Sequence, residues 1–107
     1  MSNKGQGSNW IRREKRVAIY ARDGFACLVC GSEKSLSLDH ILPRSKGGSN
    51  VARNLATLCV PCNSSKGDKH LYPFMRARGL NTKEVDRRRR RGIDVAAARA
   101  YLRGVRS

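Results

Sequence analysis

Near the start of the chain the apolar residues Ile11, Val17, Ala18 and Tyr20 are interspersed with Arg12, Arg13, Lys15 and Arg16 at helical spacing. The pattern predicts a helix over residues 10–22, with apolar side chains available for packing and cations left for solvent or phosphate. Asp23-Gly24 is a strong turn signal and ends it. From Leu36 to Ile41 the period changes to two, which predicts a strand terminated by Pro43. Lys46-Gly47-Gly48-Ser49-Asn50 reads as a loop, and Asn54 to Cys59 as a second short strand through Leu55 and Leu58. A helix is expected to begin near Pro61, because proline suits a first helical turn, and to run to Lys66-Gly67. Further on, Asn81-Thr82-Lys83-Glu84 has the form of a capping box, opening a helix that ends at Gly92. Asp94 is then expected to cap an alanine-rich helix over residues 95–103, closed by Gly104.

Four cysteines change this outline. Cys27/Cys30 and Cys59/Cys62 each have two residues between the sulfurs, the spacing that lets a tight knuckle aim both thiolates at one tetrahedral zinc. The segment 24–68 that contains them is near the size below which a domain usually needs a metal or disulfides to fold. One structural zinc per chain, bound by Cys27, Cys30, Cys59 and Cys62, would meet that need. Disulfides are the competing use, disfavoured in a reducing compartment. The gap between the pairs is 28 residues, longer than the roughly 15 to 20 of a plain zinc ribbon, so the intervening loop is expected to carry something of its own.

That loop holds Asp39-His40, and Asn63 follows the last cysteine. Phosphodiester hydrolysis needs a base for water and a cation for the charge on phosphate and leaving oxygen. An imidazole, with an ordinary pKa of about 6.5, suits the first role, which falls to His40. Asp39 and Asn63 offer hard oxygen donors to a mostly hydrated Mg²⁺ or Mn²⁺. Neighbours on a strand normally face opposite ways, so Asp39 and His40 serve one site only if the strand bends or ends there.

Charge points to the partner. The 107 residues include 23 basic and 8 acidic side chains, a net +15. Residues 1–23 carry +4, residues 24–68 only +2, and residues 69–107 +9. A nearly neutral core between basic arms suggests that chemistry and backbone grip on a nucleic acid are divided between segments. The expected organisation is a disordered start over 1–9, a basic helix over 10–23, a core over 24–68 and a basic helical extension over 69–107. Arg87, Arg88, Arg89, Arg90 and Arg91 are candidate phosphate contacts, as are Arg44, Lys46 and Lys66, each of which has a plain reading as a solvated cation. His70 is taken as a surface residue or a support to the site.

Arg22-Asp23-Gly24-Phe25-Ala26-Cys27, Leu38-Asp39-His40-Ile41-Leu42-Pro43, Gly47-Gly48-Ser49-Asn50, Asn54-Leu55 and Leu58-Cys59-Val60-Pro61-Cys62-Asn63 with Lys66-Gly67 together resemble the HNH endonuclease family. The resemblance implies a small α+β, treble-clef-like ββα-metal core stapled by zinc and flanked by helices at both ends. It implies that His40 is the first letter of the motif and Asn54, the second, orders the loop. Asn63 stands where the last histidine usually does, a departure that bears on metal preference more than on activity. The expected function is metal-dependent hydrolysis of duplex DNA, one strand per site, so that a double-strand break takes a second copy, another protein or two encounters. The competing reading is a zinc module that binds nucleic acid without cutting it, which would have no need of Asp39, His40 and Asn63. RNA cleavage is a weaker third, since no aromatic platform is evident. No apolar run approaches the roughly 18 residues of a membrane span, and the polar first nine residues are unlike a signal, so an intracellular, cytoplasmic protein of bacterial or phage-like setting is expected.

Overall fold

The computed structural model describes residues 11–106. Five helices and one two-stranded sheet follow in the order α1 (Arg13–Arg22), β1 (Leu36–His40), β2 (Leu55–Cys59), α2 (Val60–Lys66), α3 (Leu71–Ala77), α4 (Lys83–Arg90) and α5 (Val95–Arg106), with short 3-10 turns at Arg44–Lys46 and Ala52–Asn54. The expectations for residues 1–9 and Trp10 lie outside the described residues. Pro61 stands in the first turn of α2 as its missing N–H allows.

The antiparallel register opposes Leu36 to Cys59, Leu38 to Thr57, Asp39 to Ala56 and His40 to Leu55. Opposed residues share a face, so the two-residue period divides the sheet. Leu38 and Leu55 join Ile11 and Ile19 in a cluster on the α1 side. Ala56 and Leu58 pack on the other side with Cys27, Ile41, Leu71, Phe74, Met75 and Val85. Both faces are therefore covered, and Ser37 and Asp39 point into the side that carries α2.

A buried ion pair ties α1 to the sheet. Arg22 Nε and Nη2 donate to the Asp23 carboxylate at 2.8 and 3.0 Å, its Nη1 and Nη2 also reach the carbonyls of Ala52 and Leu55, and Asp23 Oδ2 accepts the Thr57 N–H. Every charge is thus spent on a partner, the condition under which burying an ion pair is tolerated.

Three features differ from the pattern-based outline. α3 had no predicted counterpart; its Leu71, Phe74 and Met75 recur at i, i+3 and i+4, a signal confined to two turns, and all three enter the core. Gly104 does not close the last helix, which continues to Arg106 because glycine only weakens a helix whose Ala98 and Leu102 are buried. The capping box does not form: the N-cap is Thr82, which makes no side-chain cap bond, Asn81 Oδ1 accepts the Lys83 N–H at 2.7 Å, and Glu84 turns to Arg87 and Arg88. Asp94 does cap α5, accepting from the Ala97 N–H at 2.9 Å. No helix among the described residues is long and apolar enough to cross a membrane.

Candidate active site and metal centre

Cys27 and Cys30 sit on a knuckle closed by the Gly31 N–H donating to the Cys27 carbonyl at 2.9 Å, and Cys59 and Cys62 flank the junction of β2 and α2. One ligand atom from each lies within 4.8 Å of all the others, and Cys30 Sγ is 3.6 Å from Cys59 Sγ. Tetrahedral zinc with bonds of about 2.3 Å would set its sulfurs about 3.8 Å apart, so the cluster fits that ion, whereas a disulfide would need about 2 Å. The cysteines are unbridged. Burial and the neighbouring sulfurs push the Cys59 and Cys62 thiols up, while the backbone N–H groups of Cys59, Cys30 and Val29 hold Cys27 down against its own burial. Crowded thiolates thus need a cation among them, which is the service a dication supplies.

The strand ends at the point the chemistry requires. β1 stops at His40, and a cavity of about 110 Å³ is lined by Asp39, His40, Pro43, Arg44, Ser45, Lys66, Gly67 and Asp68. Asp39 and His40 thus reach one cavity from opposite faces of the sheet. Asp39 Oδ1 accepts the His40 N–H at 2.8 Å, and Oδ2 lies 3.2 Å from Lys66 Nζ, both side chains being buried. Burial raises the Asp39 carboxyl above the ordinary range, and Lys66 pulls it back. Lys66 is therefore not a solvated helix cation: at 1% exposure its ammonium also donates to the carbonyls of Lys69 and Gly67. A larger cavity, about 380 Å³, lies between α1 and α5 among Val17, Ala21, Phe25, Ile93 and Tyr101, away from these groups. Its wall is mainly apolar, and the carboxylate on it, Asp94, caps α5.

Asn54 is bonded to the backbone of the loop on both sides. Its Oδ1 accepts the Leu42 N–H at 2.9 Å and its Nδ2 donates to the carbonyls of Leu42 and Ser49 at 3.0 and 2.9 Å. Gly48 passes so close beneath that a Cβ there would lie 1.8 Å from the Leu42 oxygen, which excludes any other residue.

Asn63 is buried in the first turn of α2, one turn from Lys66, and is not among the cavity's lining residues. Its amide orientation follows from the network. Ser37 Oγ donates its only proton to the Leu58 carbonyl at 2.9 Å, so the Asn63 group 3.1 Å from it must be the donating Nδ2, which also faces the Leu38 carbonyl. Since Ser37 and Asp39 share a strand face while Asn63 and Lys66 share a helix face, Asn63 and Asp39 are diagonal neighbours across the β1/α2 contact.

The other candidate cations separate. Arg44 is exposed at the cavity rim and Lys46 is exposed on the same 3-10 turn. Of the five successive arginines, Arg88 donates to the Arg22 carbonyl at 2.8 Å and Arg89 to the Arg53 carbonyl at 2.7 Å, so these two fasten α4 to the fold. Arg87, Arg90 and Arg91 are exposed, the first two paired with Glu84 and Asp86. His70 caps α3, its Nδ1 accepting the Tyr72 N–H at 3.1 Å, and burial with Lys66 and Arg89 nearby lowers its pKa. Pattern reasoning missed Asn50, whose Oδ1 lies 2.7 Å from His40 Nε2. Its only mark in the sequence is a polar side chain at the end of the Gly-Gly-Ser loop.

Two paired strands, the second running directly into a helix, a four-cysteine cluster beside that junction that could hold one metal ion, and Asp39 and His40 at the other end of the sheet define a small α+β domain of ββα-metal type. Residues 27–77 match the model of the family described as HNH endonuclease. It is similar to the CRISPR-associated endonuclease Cas9 of Corynebacterium diphtheriae, 31% identical over 92 residues that make up 79% of this chain and 8% of that protein. The corresponding protein of Actinomyces naeslundii is 45% identical over 57 residues, 50% of this chain and 5% of the relative. Among solved structures, the Type II-C Cas9 enzyme from Actinomyces naeslundii aligns with 84% of this chain and 12% of its own, at 27% identity and a TM-score of 0.48. The chain thus spans less than a tenth of the length of the curated relatives it matches.

Proposed function

We propose that the chain is a metal-dependent DNA endonuclease of HNH type, hydrolysing phosphodiester bonds one strand per active site. The observation that carries this reading is the meeting of Asp39 and His40 in one cavity at the end of β1. A module that only binds nucleic acid needs neither. In the proposed reaction His40 takes the proton from the attacking water. Asp39, whose carboxyl is raised by burial and drawn back by Lys66, and Asn63 would supply hard oxygen donors suited to Mg²⁺ or Mn²⁺, which would add positive charge beside the phosphate and the departing 3′ oxygen. Arg44 at the rim presents an exposed guanidinium that suits a phosphate. The products would carry 5′ phosphate and 3′ hydroxyl ends. Cys59 and Cys62 with Cys27 and Cys30 would hold a zinc ion that fixes the β2/α2 junction and with it Asn63. Residues 24–68 would carry the chemistry, with 10–23 and 69–107 providing grip on duplex DNA, and a double-strand break would take a second copy, a partner protein or two encounters. The relatives' names as endonucleases support cleavage over simple binding.

Supercoiled plasmid incubated with the zinc-loaded chain tests this. Conversion to open circles that requires Mg²⁺ or Mn²⁺ is expected. Retardation of DNA without any nicking in either metal would establish the non-catalytic zinc module instead.

The basic tail gives a second expectation. Replacing Arg87, Arg90 and Arg91 by glutamine should weaken binding to all duplexes alike and lower the slope of log K against log salt by roughly 2 to 3, at about 0.9 per lost phosphate contact. Their ion pairs are exposed and cost little to open. The same change at Arg88 and Arg89 should lower thermal stability, since each leaves a backbone carbonyl without its donor. An unaltered salt slope in the triple variant would make those arginines a solvated face.

A further inference from the structure

Nothing in the family match or in the motif assigns a role to Asn50, yet its Oδ1 lies 2.7 Å from Nε2 of the proposed base, His40. An amide oxygen carries no proton and can only accept. The contact therefore requires the hydrogen on Nε2, and a neutral imidazole has only one. We infer that Asn50 is the positioning residue of His40: it holds the ring in the Nε2–H tautomer, which puts the proton-accepting lone pair on Nδ1. This rests on the reading of His40 as the base.

The surroundings are built to keep that oxygen in place. Lys15 of α1 donates from Nζ to the Asn50 carbonyl at 2.8 Å, across 35 residues of sequence. On the other side Asn54 Nδ2 holds the Ser49 carbonyl at 2.9 Å, and Gly48 is packed beneath Leu42. The backbone that carries Asn50 is thus clamped just before its side chain and at its own carbonyl. His40 is fixed as firmly, with its N–H on Asp39, the following Ile41 N–H on the Asn54 carbonyl at 2.8 Å, and Leu55 opposite it in the sheet. Both partners being held, the hydrogen bond is made without ordering anything further, the condition for a strong directional effect. A neutral acceptor also orients the ring without adding a second negative charge beside Asp39. Were the amide turned the other way, its Nδ2 would donate to Nε2 and force the hydrogen onto Nδ1, leaving the wrong nitrogen basic.

Long-range nitrogen–proton correlation on the histidine-labelled, zinc-loaded chain reads the tautomer directly, at about pH 8 where imidazoles are ordinarily neutral. The chain has two histidines, so a His70→Gln sample identifies the signals of His40. Wild type should show a protonated Nε2 and an unprotonated Nδ1. Asn50→Ala should yield a mixture of tautomers and about a tenfold lower kcat for nicking, the usual scale for an outer partner of a site residue, with KM unchanged. Asn50→Asp keeps the accepting oxygen and should restore both the single tautomer and most of the rate. A proton on Nδ1 in wild type, or an Asn50→Ala chain that retains the pure Nε2–H form and full kcat, would overturn the inference. Absence of nicking by wild type with the Nε2–H signature intact would instead overturn the nuclease reading and leave the tautomer assignment standing.

Discussion

His40→Ala is expected to lower plasmid nicking by about 10²- to 10⁴-fold, the range a positioned general base contributes, while zinc content and DNA affinity stay near wild type. The separation follows from position. His40 lies at the end of β1, is buried, and faces the cavity rather than the sulfurs or the exposed arginines. Removing its ring deletes a proton acceptor and little surface that DNA could touch. Because the side chain is buried, alanine leaves a void that costs stability, so His40→Gln is the companion variant: it fills the space and offers no comparable base. Both should melt cooperatively and bind duplex, and both should fail to nick. Comparable nicking by either variant and wild type would remove His40 as the base.

Loss of the metal centre should have the other large effect. Cys59→Ser, or treatment with a strong chelator, is expected to release zinc and unfold the core. Structural zinc contributes an apparent ~10–16 kcal/mol in finger peptides, as much as the roughly 5–15 kcal/mol that stabilises a whole domain. Cys59 ends β2 and is buried within the cluster that also holds Leu58, Leu71 and Phe74, so a metal bond at its sulfur would anchor both the sheet and α2. The effect should be read by elemental analysis together with far-ultraviolet circular dichroism. A chain that is folded without zinc, or that closes these cysteines as disulfides, would remove the scaffold on which the proposed chemistry depends. With zinc lost, nicking should vanish along with structure, which distinguishes this variant from His40→Ala.

Much of the site was legible before the fold because its geometry is local. Two residues between cysteines suffice to form a knuckle, and a two-residue period suffices to assign Leu38 and Asp39 to opposite faces of a strand. Asp23-Gly24, Pro43 and Pro61 act through backbone dihedrals within a residue or two of themselves, so the order strand, loop, strand, helix could be read from them. α3 was not legible, because seven residues with three apolar positions do not establish a period against noise. Lys66 was equally ambiguous by itself.

The sequence by itself determined the four sulfurs, the Asp39-His40 pair and the strongly basic balance, since these depend on composition and short spacing alone. Tertiary structure decided which side chains meet. It buried Lys66 against Asp39, committed Arg88 and Arg89 to the backbone of Arg22 and Arg53, and brought Asn50 to His40. Each is a contact between elements distant in the chain or held across a folded loop. A cation, an arginine and an asparagine carry no local mark of their partner. Their roles arise only when packing removes water from one approach and leaves a single acceptor or donor within reach.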